Sequence, residues 1–546
     1  MTVCVNELTA ITFYAAVNIV CGTNMPVNRY LEKENEKRFI TYIVEMAICF
    51  SLIFEIVLDL IQVFTNSYTM NFYLFINEYV LLFLVIFCLC LKGLTKNYLA
   101  VMFMACFFLF LMGQKLVKVS EGGEYDAFLT FAYLKLSADK YFVFTNCMYF
   151  SILTFFSTYV VFSNTVDVRL KAERQKEETK QNVRRKVNVP RLRAAAEILM
   201  WICFIGAFVT QFMIFRAKSD MSYTEGYLIN IDVPTVFKMA NSLYPCFFFI
   251  FMATRPTKMK FFLSALCYIL VEGVLQLFIG RRALIAGSVL LIIWLFIYYY
   301  GYDRKKMRLS YYVFFGILGA AMLGLFILVE KFRTANSSYG ADLFSDLLKF
   351  FSSTGGSDSV IANTINIGEF PKNGFAYLFE PITGALTENA LVKAIIGFFT
   401  GTTVASPAQG PEYLAAYDSF SHWLSYLVNS DLYNRGYGMG SSYIAEAWLA
   451  MGFAGVCLAG MGIGWFIART RRIKLGSDKV YINGFLIMLI GYVFTLPRSG
   501  MFAFGTDALY YLAAVIICFV IYKIFDFSVS PFKKKKEMEK KQNESL

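Results

Sequence analysis

Residues 421–455 read SHWLSYLVNSDLYNRGYGMGSSYIAEAWLAMGFAG, and inside this stretch a polar segment turns into an apolar helix at Ser441-Ser442. The polar segment runs from Glu330 to Glu446, and on both sides of it the chain is one apolar run after another. Of 546 residues, 58% are hydrophobic and 18% aromatic, and only 16% are charged. That is too few charges for a soluble chain of this length, so the class is an all-α polytopic membrane protein. The formal net charge is +12, but the basic residues cluster in short loops between apolar runs. Topology determinants are distributed in this way, and a nucleic-acid-binding face is not. The 12 cysteines lie in or beside apolar segments, as at Cys88, Cys90, Cys203 and Cys457, and none falls between Glu330 and Glu446. They read as small apolar packers, not as a disulfide framework.

A span needs about twenty apolar residues. Runs of that kind fall near 39–65, 72–91, 98–117, 141–163, 195–215, 236–253, 261–280, 283–300, 310–330, 443–468, 480–497 and 505–525. Residues 5–22 are a weaker candidate, giving about 12–13 transmembrane helices in all. Residues 1–22 lack a basic n-region and carry Asn6, Glu7 and Asn18, which argues against a cleavable signal peptide.

Orientation follows from lysine and arginine. The 164–193 linker holds ten basic residues against four acids and reads as a solvated cytoplasmic crossing. Alternation then puts the basic groups at 255–260, 304–308 and 469–474 on the same side, with the 527–546 tail. Segments 119–140, 216–234, 331–442 and 498–504 fall outside. This divides the chain into a bundle at 1–330, a large extracytoplasmic loop at 331–442 and closing helices at 443–526. Between 331 and 440 the balance reverses to six basic residues and nine acids. Within the loop, 374–400 reads as an amphipathic helix on the outer leaflet, and Gly-Ser stretches at 352–357 and 401–410 read as mobile connectors.

Arginine at outer helix ends runs against the charge bias of membrane proteins. Arg281 and Arg282 sit in a short outer turn, Arg333 follows Glu330, Arg435 precedes the glycine run, and Arg498 ends the penultimate helix. A guanidinium matches phosphate oxygens and stays charged, so several on one face favour an anion over headgroup contacts. The run Gly436-x-Gly438-x-Gly440-Ser441-Ser442 opens a helix, where backbone amides and the dipole suit phosphate. It is not a nucleotide loop, because no strand precedes it and no Gly-Lys-Ser/Thr follows. Glu446 falls one turn into that helix, where a carboxylate calls for an arginine partner.

His422 is the only histidine. It reads as lying in a polar loop, and it is suited to take a proton near neutral pH. Trp423, Tyr426, Tyr433 and Tyr437 suit either sugar stacking or interface anchoring. Other ionisable residues within apolar runs are Glu45, Glu55, Asp59, Glu78, Lys115, Lys238 and Glu272. They either pair inside the bundle or line a path, and the Glu55/Asp59 pair keeps a cation-coupled transporter in view. No Asp-x-Asp occurs in any outer loop, so metal-assisted glycosyl transfer is disfavoured and no metal or cofactor is expected.

The order of these features resembles the bacterial oligosaccharide repeat-unit polymerases, the Wzy or O-antigen polymerase family. Residues 421–455 carry the resemblance most specifically, with FIGRRALIAG (278–287) and LPRSGMFAF (496–504) in support. The related O-antigen ligases share the architecture. The resemblance implies a GT-C-like fold and a metal-independent glycosyltransferase at the bacterial plasma membrane, acting on its extracytoplasmic side. Its substrate would be an undecaprenyl-diphosphate-linked oligosaccharide in membrane lipid, with a chain-length regulator and a flippase as further partners and no nucleic acid. His422, Arg281 and Arg498 take the catalytic roles. Arg282, Arg435, Arg333, Gly438, Gly440 and Ser441 bind the diphosphate, and Glu446 and Tyr437 support them. Two rivals remain. A flippase or exporter calls for internal pseudo-symmetry, which the sequence lacks, and an acyltransferase calls for a histidine beside an apolar helix.

Overall fold

In a computed structural model, the residues described are 31–120, 127–131, 134–178, 188–218, 233–278, 282–300, 343–388 and 409–543, with 231, 324 and 392 in isolation. The candidate spans at 5–22 and 310–330, and Arg281 and Arg333, lie outside them. The protein is an all-α polytopic membrane protein. Eight helices among the described residues are long and apolar enough to span, and Leu284–Tyr299 and Val480–Val493 are shorter apolar helices. A two-stranded antiparallel pairing of Thr130–Phe131 with Leu134–Lys135 is a minor addition.

Three of the expected spans are interrupted. Residues 94–120 pass through a π turn at Phe108–Met112, and residues 258–278 through another at Ile269–Val274. Such turns insert one residue and shift the register of the side chains that follow. The Tyr443–Thr470 helix breaks at Gly452 (φ 60°, ψ −144°), a conformation that only glycine adopts at little cost. Hydropathy averages over such breaks, so the apolar runs alone do not reveal them.

The Tyr443–Thr470 helix packs tightly against Ala138–Glu178 because its glycines leave no side chain between them. A Cβ at Gly460 would stand 2.3 Å from Thr154 Oγ1, and one at Gly464 would stand 2.5 Å from the Phe155 carbonyl. Within lipid, small residues of this kind let helix backbones approach and gain dispersion contact. A 2.6 Å hydrogen bond between the Ser151 and Tyr443 hydroxyls closes one end of the pair. At the other end Arg471 donates to Asp167 (3.0 Å), Asn97 (2.6 Å) and Tyr159 (2.8 Å).

Three acids within the apolar helices find partners on neighbouring segments. Asn77 donates to Glu55 at 2.7 Å, Asn146 donates to Asp59 at 3.0 Å, and Lys92 pairs with Glu45 at 2.5 Å. Lys115 donates to the Thr130 carbonyl at 2.5 Å.

The described residues of the segment expected to be a loop are largely helical and fold onto the bundle. Residues 352–357 are not a mobile connector. They end the Leu343–Thr354 helix and form the Gly355–Ser357 turn, which is packed so closely that a Cβ at Gly355 would lie 2.3 Å from the Gln114 amide nitrogen. Residues 401–408 lie outside the described residues. The Gly374–Glu388 helix does have two faces. Gly374 meets the Leu449 carbonyl and the Pro381 carbonyl meets Gly505, while Phe375, Phe379, Ile382 and Leu386 point outward.

Candidate functional site

His422 lies on a short helix, Phe420–Val428, and not in a loop. Phe420 and Leu424 are buried at helical spacing, which turns the imidazole toward the Pro411–Ala416 and Ser430–Asn434 helices. Its Nδ1 is 2.9 Å from the Tyr433 hydroxyl, and the Tyr413 ring stacks on it with centroids 4.1 Å apart. Burial pushes its pKa down to about 4, because the charged imidazolium loses hydration there. The ring is therefore neutral at physiological pH. In the tautomer that donates Nδ1–H to Tyr433, Nε2 keeps a lone pair.

The His422 helix is tied to the glycine run. The Met439 amide donates to Ser425 Oγ at 2.9 Å, and Ser425 Oγ donates to the Ser421 carbonyl at 2.5 Å. Gln409 Nε2 braces the same turn by donating to the carbonyls of Tyr433 (2.7 Å) and Tyr437 (3.0 Å). Gly436 (φ 89°) and Gly440 (φ 82°) take left-handed conformations, which explains glycine at both positions. The amides of Gly436 and Tyr437 are engaged by the carbonyls of Tyr433 and Leu432. Fewer amides therefore face a ligand than an open helix start would offer. Arg435 caps the Ser430–Asn434 helix with its side chain exposed, and Tyr437 is also exposed.

Glu446 links this run to a distant part of the chain. Its Oε1 accepts from Ser441 Oγ at 2.6 Å, and its Oε2 accepts from the Met501 amide at 3.0 Å. Its described partners are thus a hydroxyl and an amide in place of the expected guanidinium, and two good donors satisfy a buried carboxylate as well. Gly500 is packed against it, since a Cβ there would stand 2.4 Å from Oε1. Two residues earlier, exposed Arg498 ends the 3₁₀ turn Leu496–Arg498, held by its amide to the Thr495 carbonyl at 2.8 Å.

Thr495, three residues before Arg498, and Leu284, two residues after Arg282, both line one cavity of about 120 Å³. The helix that begins at Arg282 crosses the chain near Thr495 through Gly287, whose Cβ position is 3.6 Å from the Gly491 carbonyl and 3.7 Å from Thr495 Cγ2. Glu272, Ser288 and Asp507 line the same cavity. His422 does not line it. The fold therefore brings the segments that carry Arg282 and Arg498 to one cavity, and it joins His422, the glycine run, Glu446 and the Arg498 turn through successive hydrogen bonds. Asp507 and Ser425 were not singled out from the sequence. Asp507 opens an apolar helix, where an acid is a visible signal, whereas nothing local distinguishes Ser425.

A family model described as O-antigen polysaccharide polymerase Wzy matches residues 47–535, nearly the whole chain. The chain belongs to the Wzy O-antigen polymerase family. No curated protein and no solved structure matches it. Membership in the Wzy family makes it a membrane-embedded polysaccharide polymerase, with a lipid-linked oligosaccharide in the membrane as its substrate. The Wzy match covers both the Arg282 and Arg498 helix ends and the His422 segment.

Proposed function

We propose that this Wzy-family protein is a metal-independent glycosyltransferase of the bacterial plasma membrane. It transfers the growing glycan from undecaprenyl diphosphate to the terminal sugar of a lipid-linked repeat unit, on the extracytoplasmic face. The observation that supports this reading is that the segments carrying Arg282 and Arg498 both reach one cavity, through Leu284 and Thr495. Glu446 ties the Arg498 turn to the glycine run that carries the His422 helix.

The roles follow from where charge develops. As the bond between the anomeric carbon and the diphosphate oxygen breaks, negative charge grows on the leaving group, and Arg282 and Arg498 neutralise it, with Arg281, the neighbour of Arg282 in sequence. Arg435 and Arg333 are further candidates for the same anion. An acceptor hydroxyl oxygen forms the new glycosidic bond, and its proton passes to His422 Nε2. A neutral imidazole is required for that step, which agrees with a pKa held near 4 by burial.

Cells lacking the protein test this reading. One repeat unit on each carrier or acceptor is the expected outcome. No glycan displayed outside would point to a flippase, and long lipid-linked chains beside an undecorated acceptor would point to a ligase.

A further inference from the structure

The sequence leaves Tyr433 between sugar stacking and interface anchoring, and its place in the fold suits neither. It is 1% exposed, so its ring has no open face for a sugar or for lipid headgroups. We propose that Tyr433 is a positioning residue for glycosyl transfer: its hydroxyl accepts the Nδ1–H of His422 and so fixes the tautomer in which Nε2 presents a lone pair to the acceptor hydroxyl. The inference rests on the polymerase reading and deepens it.

The phenol is held in place by contacts that involve no substrate. Asn429 ends the His422 helix and caps the next one, its Oδ1 accepting from the Leu432 amide at 3.0 Å. That corner packs Ser430–Asn434 back against Phe420–Val428. Gln409 Nε2 donates to the Tyr433 carbonyl at 2.7 Å, and the Tyr426 ring meets the Tyr433 ring edge-on with centroids 5.9 Å apart. Backbone and ring are thus both fixed, and they bring the hydroxyl to 2.9 Å from Nδ1.

A histidine that moves protons needs its second nitrogen engaged, because that bond sets both tautomer and ring orientation. A carboxylate often fills this place. Here the cause of the lowered His422 pKa is burial, and no carboxylate counters it, which leaves the phenol as the partner. Burial also pushes the Tyr433 pKa up to about 12, so the phenol stays neutral and its oxygen keeps lone pairs for Nδ1–H. The reverse arrangement, with Tyr433 O–H donating to Nδ1, would turn the basic nitrogen of the ring toward the phenol and away from any acceptor hydroxyl.

The test uses full-length protein in lipid vesicles, made without a histidine tag, so that isotope-labelled histidine reports on His422 alone. Solid-state nitrogen NMR then gives the tautomer, because protonated and bare ring nitrogens differ widely in chemical shift. Oligomer formation from lipid-linked repeat unit gives kcat and KM in the same vesicles. Wild type is expected to show Nδ1–H and a bare Nε2. Tyr433→Phe keeps the ring and its packing. It is expected to lose that preference, with kcat lowered about tenfold and KM within about threefold, a part of what a general base contributes. A wild-type ring protonated at Nε2 overturns the proposal, and this spectrum decides even where the variant fails to fold. Folded Tyr433→Phe with the wild-type tautomer or the wild-type kcat overturns it too. His422→Ala separates the proposal from the reading beneath it. Full polymer formation in His422→Ala overturns the role of the histidine itself, whereas an inactive His422→Ala beside a fully active Tyr433→Phe removes the positioning role alone.

Discussion

Glu446 offers the sharpest perturbation, because a single carboxylate holds together two segments far apart in sequence. Replacing it with alanine removes the acceptor of Ser441 Oγ–H (2.6 Å) and of the Met501 N–H (3.0 Å). Leaving a buried donor without its acceptor costs about 2 kcal/mol, so the two together cost about 4 kcal/mol. The turn ending at Arg498 lies two residues from Gly500, which packs directly on this carboxylate. A displacement of about 1 Å in a transition-state donor costs about a hundredfold in rate. Glu446→Ala is therefore expected to lower polymer formation about a hundredfold while membrane insertion stays normal. Glu446→Gln keeps one acceptor oxygen and is expected to lie between alanine and wild type. Gly500→Ala approaches the same oxygen from the other side, where its Cβ would stand 2.4 Å from Oε1, and is expected to resemble Glu446→Ala. The assay is the rate of oligomer formation in vesicles, with protein level and thermal stability in detergent measured beside it. Wild-type rates from Glu446→Ala would refute the claim that this carboxylate positions the Arg498 turn.

Other outcomes follow from the same geometry. Arg498→Ala and Arg281→Ala are each expected to cost about 3 kcal/mol, near a hundredfold in rate, in the same vesicle assay, and full-length glycan from either variant would reject its role. His422 has a folded pKa near 4, below its usual 6.5, so its contribution to stability is complete above pH 6.5 and is lost as pH falls toward 4. The acidic limb of the pH–rate profile should accordingly fall near pH 4, and Tyr413→Ala, which uncovers the ring stacked at 4.1 Å, should move it upward. A limb at 6.5 that ignores Tyr413 would contradict the assignment. Gly464→Val would drive a Cβ to within 2.5 Å of the Phe155 carbonyl, and its expected effect is loss of folded protein on a size-exclusion profile.

The sequence revealed the helices well and their interruptions poorly. Apolar runs near 39–65, 72–91, 141–163 and 195–215 coincide with helices because lipid demands an unbroken apolar surface and internal backbone hydrogen bonding. The π turns at Phe108–Met112 and Ile269–Val274 leave no trace in the apolar runs, because one inserted residue changes register and not hydropathy. The helical docking of 343–388 depends on Gly355 meeting Gln114 and Gly374 meeting Leu449, contacts between residues about 75 or more positions apart. At the site, the arginines and glycines were legible because such residues are out of place at an outer helix end. His422 reads as loop because Ser419, Ser421 and Ser425 surround it, although Phe420 and Leu424 have helical spacing. The cavity was hidden entirely, since it arises where Glu272, Gly287, Thr495 and Asp507 come together from four segments.

The most direct measurement of the central claim is mass spectrometry of the purified protein's reaction with its own lipid-linked repeat unit, in vesicles with chelator present. The account predicts carrier-linked oligomers spaced by one repeat unit, with one undecaprenyl diphosphate released for every new glycosidic bond. Unchanged substrate in the presence of folded protein, or oligomers that form without release of the carrier diphosphate, would contradict it.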